Sequence, residues 1–448
     1  MIKGEVNSAV TADMVTSTHS GHEETDYNWV ITLNRFFLSL LGIWPEPYKT
    51  PRSKLMMNIR VIIVLNIIIW SCIIPTFHSL IRIWGNITSM IDNLQTSLPF
   101  LIAIMKLVLL WQKKEVLVPI LQMIKKDWIK LKSEKEIIVM IRHARTTRLI
   151  MIWGYFVMFI SYILGVILPS FNISMRYLTN ITDPGKVLPL QTYYIYNVSN
   201  SPFYETTFIL QGFSIMISAS VYTVTDSFMG YLVFHICGQL ENFRTRILNL
   251  DKFSDFEEAL SSSVQDHIRL IRSIKIIDNT FNLMLLGLLI NFGILFALFG
   301  FLFITITTQG RNLSIGRLIY ILTAFINIFT HMCLYCVIGE FLVIQCDGIY
   351  EATYHYKWYN LKPRQARNLL IIMMLANKPL HLTAGKLFPM TMATFCNYDG
   401  LYEAAREYKW CNLEPKKTKK PINDASFNRS LHLTVEKLFP VTISVDTY

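Results

Sequence analysis

The chain has 448 residues, 52% of them hydrophobic and 16% charged, with a formal net charge of +11 and a mean hydropathy of +0.37. Soluble globular domains carry about 25% charged residues, so the deficit points to a bilayer as the main solvent. The basic excess does not read as a nucleic-acid surface, because it collects beside apolar segments as cytoplasmic flanks do.

Residues 1–30 are polar, and Glu23, Glu24 and Asp26 stand where a signal peptide needs its apolar core. The first apolar segment is therefore expected to be an uncleaved anchor behind a cytoplasmic N-terminus, residues 1–54. Within it the stretch WVITLNRFFLSLLGIW, about 29–44, stops at Pro45 and reads as an interfacial helix. A spanning helix needs roughly 20 mostly apolar residues. Six segments qualify, at about 56–80, 93–111, 149–170, 206–236, 280–307 and 316–345. A seventh, about 380–396, is short and carries Lys386. The expected fold class is an all-α membrane protein with seven transmembrane helices. Six of them, with their loops, fill 55–345, and the seventh starts in 380–397.

Lys113, Lys114, Lys125, Lys126, Lys130, Lys132, Lys135, Arg142, Arg145 and Arg148 crowd the segment between the second and third spans. Lys49, Arg52, Lys54 and Arg60 stand at the entry to the first. The positive-inside rule puts both regions in the cytoplasm. The N-x-[ST] acceptor sites at Asn86, Asn172, Asn180, Asn197 and Asn312 all fall in or beside loops on the opposite side, where glycosylation occurs. Seven crossings from an inside N-terminus invert the arrangement of a G-protein-coupled receptor, so no G protein is expected as partner.

Six cysteines, Cys72, Cys237, Cys333, Cys336, Cys346 and Cys396, lie in spans or near cytoplasmic ends, and Cys411 follows in the tail. The predicted outer loops hold none, so no loop disulfide is expected there. Cys333 and Cys336 form a C-x-x-C inside an apolar helix, without a second pair or a His cluster, and read as packing. No catalytic motif is found, and neither an enzyme, a cofactor nor a metal is expected. Asp226 lies within the fourth segment. It is either buried and paired or near the cytoplasmic boundary, and the boundary is the simpler expectation.

The end of the chain repeats itself. DGIYEATYHYKWYNLKP at 347–363 returns as DGLYEAAREYKWCNLEP at 399–415, identical at eleven of seventeen positions. LHLTAGKLFPMT at 380–391 returns as LHLTVEKLFPVT at 431–442, identical at nine of twelve. The second copy carries Pro421 and charged residues where the first is apolar, so 398–448 reads as a degenerate repeat and an atypical tail.

Aromatic and hydroxyl side chains gather at outer depth: Phe159 and Tyr162 in the third span, Phe208, Phe213 and Met216 in the fourth, Phe296 and Phe299 in the fifth, Tyr320, Thr323 and Asn327 in the sixth. As a group they suit a mostly apolar ligand pocket with few orienting polar groups.

LLGIWPEP at 40–47, GEFLVIQCDGIYEATYHYKWYNL at 339–361 and RQARNLLIIMMLANKPLHLTAGKLFPMTMATF at 364–395 resemble motifs of the insect odorant receptors, over about 30–396. The resemblance implies a variable, ligand-binding subunit of a ligand-gated, non-selective cation channel. Such a subunit binds small hydrophobic volatiles among its helices, in contact with membrane lipid. It joins a common co-receptor in a heterotetramer at the plasma membrane of an olfactory neuron dendrite. Residues 346–379 match a cytoplasmic anchor helix between subunits, with Tyr350, Trp358, Leu369 and Leu370 as contacts. Thr383, Ala384, Gly385, Lys386, Phe388, Pro389 and Phe395 match the pore-lining seventh helix. In the family that helix continues apolar, whereas here Asn397, Tyr398, Asp399 and Gly400 begin the repeat. The alternatives are a gustatory-type receptor channel of the same superfamily, or a non-functional fused or duplicated product.

Overall fold

A computed structural model of the chain describes residues 27–47, 50–130, 133–171, 181, 186–198, 200–309, 315–378 and 380–396. The calls at Asn172, Asn180 and Asn312, and the repeat at 398–448, lie outside them.

Helix α1 covers residues 27–40. Its end is fixed by Gly42, whose φ of +78° is left-handed. The Ile43 N–H donates to the Leu38 carbonyl at 2.9 Å and the Gly42 N–H to Ser39 at 3.2 Å, taking up carbonyls the helix leaves open. A Cβ on Gly42 would lie 2.4 Å from the Met57 carbonyl oxygen, so only glycine lets this turn rest on the next helix. Arg148 holds the other end, its guanidinium 4.1 Å from the Trp29 ring centroid.

Six helices follow: α2 (Pro51–Arg82), α3 (Ile87–Ile129), α4 (Glu134–Ser170), α5 (Phe203–Leu248), α6 (Phe256–Gln309) and α7 (Ile315–His355). Each contains a window long and apolar enough to cross a bilayer. Thr50 and Ser133 start α2 and α4 with reciprocal capping boxes, and Asn86 caps α3. In α2 and α4 a π-helical turn, Ile69–Ile73 and Ile163–Ile167, precedes Pro75 and Pro169. Proline has no N–H to give and its ring crowds the preceding turn, which widens to accommodate it.

The helices outrun the apolar spans read from the sequence. Most of 113–148 belongs to α3 and α4, with a break only between Ile129 and Glu134. Once a helix has left the apolar zone, its backbone hydrogen bonds persist with polar side chains around them, so hydropathy marks the span and not the helix. Helix α5 is the centre of the bundle, in contact with α2, α3, α4, α6 and α7. Its residues 223–240 are buried on every side.

The stretch 380–396 departs from the expected helix. After α8 (Pro363–Ala376), Thr383–Ala384 (β1) pairs antiparallel with Phe388–Pro389 (β2), and within 380–396 only Met392–Cys396 (α9) is helical. Gly385 and Lys386 both have positive φ, 62° and 59°, which a helix excludes, and Pro389 lacks the N–H a helix requires. Of the residues assigned to a pore helix, Thr383, Ala384, Gly385, Lys386, Phe388 and Pro389 therefore lie in a hairpin, and Phe395 alone is helical. The hairpin is tied to α6: the Thr383 N–H and hydroxyl both donate to Asp278 Oδ1 at 2.7 Å, and the Gly385 N–H donates to the Asn282 carbonyl at 2.8 Å. On α7, Gly339 leaves room for the Met390 carbonyl, which would lie 1.8 Å from any Cβ there.

Candidate functional site

A cavity of about 270 Å³ lies inside the bundle, bounded by α3, α4, α5, α6 and α7. Its walls are Pro99, Phe100, Val157, Met158, Ile215, Phe292, Leu295 and Phe299, with Gln95, Ser161, Tyr162, Ser218, Asn291, Tyr320 and Asn327 as polar groups among them. That balance of apolar surface and a few hydrogen-bonding groups suits a small, mostly hydrophobic molecule. Asn327 donates to the Ser161 hydroxyl at 3.3 Å, tying α7 to α4 across one wall.

The floor is aromatic over charge. Tyr222 and His331 meet edge to face with centroids 5.6 Å apart. His331 Nδ1 donates to the Asn327 carbonyl at 2.9 Å. Beneath Tyr222 lies Lys106, its Nζ 3.2 Å from the ring centroid, 2.6 Å from Asp226 Oδ1 and 3.0 Å from the Tyr335 hydroxyl. The two charged side chains are 0% and 9% exposed. An isolated ammonium here would be costly; a carboxylate, a phenol and a ring face at once offset its lost hydration. Asp226 is thus a buried, paired group that ties α5 to α3, and not a boundary residue. Lys106 is the signal in the sequence, since a lone lysine in an apolar run implies an acid facing it.

Of the ten pocket candidates, Tyr162, Phe299, Tyr320 and Asn327 line the cavity. Phe159 and Phe213 point away from the bundle, 53% and 57% exposed. Phe208 packs on Tyr204, Phe296 on Phe325, and neither Met216 nor Thr323 borders the cavity. The candidates lie on α4, α5, α6 and α7 and none on α3, which supplies Gln95, Pro99 and Phe100, and the face each residue occupies depends on helix rotation. Tyr222, Asn291 and His331 also line the cavity, deeper than the aromatic and hydroxyl residues at outer depth.

A strap over residues 186–198 closes one end. Leu190 packs against Cys72 and Phe100, with Ile215 alongside, so it covers two residues of the cavity wall. Gln211 accepts from the Leu190 N–H at 3.1 Å and donates to the Thr192 and Tyr194 hydroxyls at 3.1 and 2.8 Å. Burial pushes the Tyr194 phenol up to about 12, partly opposed by that bond to Gln211, so it stays neutral at physiological pH. Asn93 donates to the Thr76 and Gln191 carbonyls, at 3.1 and 3.3 Å.

A larger cavity, about 670 Å³, opens at the other end and is lined by charge. Arg269 pairs with Asp127 at 2.6 Å and Asp266 at 3.4 Å, and Arg246 pairs with Asp266 at 2.9 Å and Glu136 at 3.4 Å. These pairs stitch α3, α4, α5 and α6 together. Beyond α7, a short turn at Trp358–Asn360 leads to α8 (Pro363–Ala376). There Leu369 is buried within the chain, while Leu370, and Tyr350 at the end of α7, are partly exposed. Among the described residues no group of three or more His, Cys, Asp or Glu is placed to hold a metal. Asn86 and Asn197 are exposed, both at the strap end of the bundle.

Long apolar helices around a ligand-sized chamber define a multi-pass membrane receptor fold. Residues 86–398 match the profile of the 7tm odorant receptor family. The chain is 22% identical over 230 residues to odorant receptor 13a of Drosophila melanogaster, a match covering 47% of this chain and 54% of that protein. The chain thus spans about half the length of this curated relative. Its fold is similar to that of the insect olfactory receptor OR5 from Machilis hrabei, solved alone and in complex with eugenol. Both comparisons give a TM-score of 0.70 and 14% identity, covering 88% and 87% of this chain and 99% of that one. The chain belongs to the insect odorant receptor family.

Proposed function

We propose that this odorant receptor is the ligand-binding subunit of a ligand-gated, non-selective cation channel. It binds small hydrophobic volatiles in the chamber between α3 and α7. The observation that carries the reading is the chamber itself: ligand-sized, walled by Phe100, Leu295 and Phe299, and furnished with few polar groups. The Machilis relative solved with eugenol supports a ligand of this size and character.

In this reading the subunit assembles with a co-receptor in a heterotetramer at the plasma membrane of a sensory neuron, its N-terminus in the cytoplasm. Tyr350 and Leu370, partly exposed, and Trp358 supply anchor contacts to the neighbouring subunit. Leu369 supports them from within. The segment from Thr383 to Phe395 leads to the pore, with the hairpin as the link between α6 and α9. Ligand binding opens the channel only if the ligand binds the open arrangement more tightly than the closed one.

The test is expression with a co-receptor and recording of currents over a broad panel of volatiles. A ligand-evoked, non-selective cation current is expected, and silence across the panel with both subunits at the cell surface would count against the reading. The repeat favours one alternative, a product that forms no normal pore. Comparison with a version cut after Asn397 and continued by an apolar helix separates the two. Current from the repaired version alone assigns the defect to the repeat.

A further inference from the structure

Two amide side chains line the chamber without a hydrogen-bond partner among the described residues. Gln95 on α3 is 7% exposed, and both its Nε2 and its Oε1 are unpaired. Asn291 on α6 is 5% exposed, and its Oδ1 is unpaired. Both border the cavity. Buried amides are rarely left in this state, because each has given up its hydration for nothing in return. The serine hydroxyls of the wall bond elsewhere and reach neither amide: Ser161 accepts from Asn327, and Ser218 donates to the Ser214 carbonyl.

The two amides stand at different depths. Gly287 of α6 lies against Met105 of α3, which sets the register between these helices. Asn291 is one turn beyond Gly287 towards the strap end, and Gln95 is farther again in the same direction. With a rise of 1.5 Å per residue, the amides are separated along the bundle by on the order of 10 Å. Between them Phe100, Leu295 and Phe299 give the wall an apolar side, and polar groups that share it, Ser161, Ser218 and Asn327, already bond to partners within the protein.

We propose that the chamber selects an elongated ligand with an apolar middle and a hydroxyl at each end, one donating to the Asn291 Oδ1 and the other bound by the Gln95 amide. This rests on the chamber being the odorant site. A hydrocarbon filling it leaves both amides desolvated and unpaired, and a mono-alcohol leaves one. The preference therefore arises at two places and is read as two steps, each about tenfold or more.

The test uses the full chain with its co-receptor and four six-carbon probes: hexane, hexanol, hexanediol with oxygens at both ends, and its vicinal isomer with both at one end. Half-maximal concentrations for evoked current are compared, with binding to the purified full chain as a second readout. The terminal diol is expected to act at least tenfold below hexanol, and hexanol below hexane. Gln95→Leu and Asn291→Leu are each expected to remove one step. The vicinal isomer has the same formula and nearly the same polarity, so equal potency of the two diols would overturn the inference. So would hexanol matching the terminal diol. If the whole series is silent while other volatiles evoke current, the inference falls and the odorant-receptor reading stands. If no volatile binds or evokes current, both fall.

Discussion

Along α5 the surroundings change at Tyr222. Towards Phe203 the helix alternates between buried and exposed positions, with Ile209, Leu210 and Phe213 turned outward and the chamber on its inner side. Past Tyr222, residues 223–240 are enclosed by neighbouring helices. The strap half is held by a few neutral hydrogen bonds, from Asn93 and Gln211, around an open chamber. The other half is held by continuous packing and by ion pairs that join α3, α4, α5 and α6. In the proposed reading the chamber half takes up the ligand and the closely packed half is what its response works against. The buried pair Lys106–Asp226 sits where the two meet, with Tyr222 serving as chamber floor above and as a ring face for the ammonium below.

That contrast gives substitutions of graded effect. The largest is expected at the junction. Lys106→Met strands Asp226 without its cation and should cost about 3–5 kcal/mol, seen as a lower melting temperature of the purified protein and loss of surface expression. The double variant Lys106→Met, Asp226→Leu should recover most of it, because no charge is left buried. A double variant as unstable as the single one would show that the junction is held by something other than the pair.

Next is the contact of α7 with the hairpin. Gly339→Ala drives a methyl group into the Met390 carbonyl and should destabilise by about 1–3 kcal/mol or more. Gly300→Ala, where a Cβ meets nothing within 4 Å, should be neutral or stabilising by up to about 1 kcal/mol. Thermal melting of the two side by side makes the comparison. Asp278→Ala removes the acceptor of two hydrogen bonds from Thr383 and should loosen the hairpin by about 1–3 kcal/mol, read as faster proteolysis within 380–396.

In the strap half the expected change is larger in ligand response than in stability. Tyr162→Ala and Asn327→Leu, both in the chamber wall, should shift half-maximal concentrations by about tenfold, and Phe159→Ala, facing outward, by little. An equal shift from Phe159→Ala would move the site to the outer face. The smallest effect is expected from Thr88→Ala, which breaks the N-x-[ST] acceptor but leaves the Asn86 cap of α3 in place: little change in melting, but loss of one glycan by gel mobility, as the proposed orientation requires.

Much of this was legible in the sequence. Runs such as LMLLGLLINFGILFALFGFLFITI announce a spanning helix because a bilayer demands some 20 apolar residues, wherever they pack. LLGIWPEP announces a helix stop, since Gly42 and Pro45 are incompatible with continuing one. The family followed from motifs at 40–47 and 339–395. The rotation of each helix did not. Tyr162 lines the chamber and Phe159, one turn away, faces outward, and nothing in the local sequence separates them, because inside a membrane both faces of a helix are apolar. The pairing of Lys106 with Asp226, 120 positions apart in the chain, and the hairpin that replaces the first part of a seventh helix were likewise decided by tertiary structure. A single residue reveals its cost of burial, but only its neighbours across the bundle determine how that cost is met.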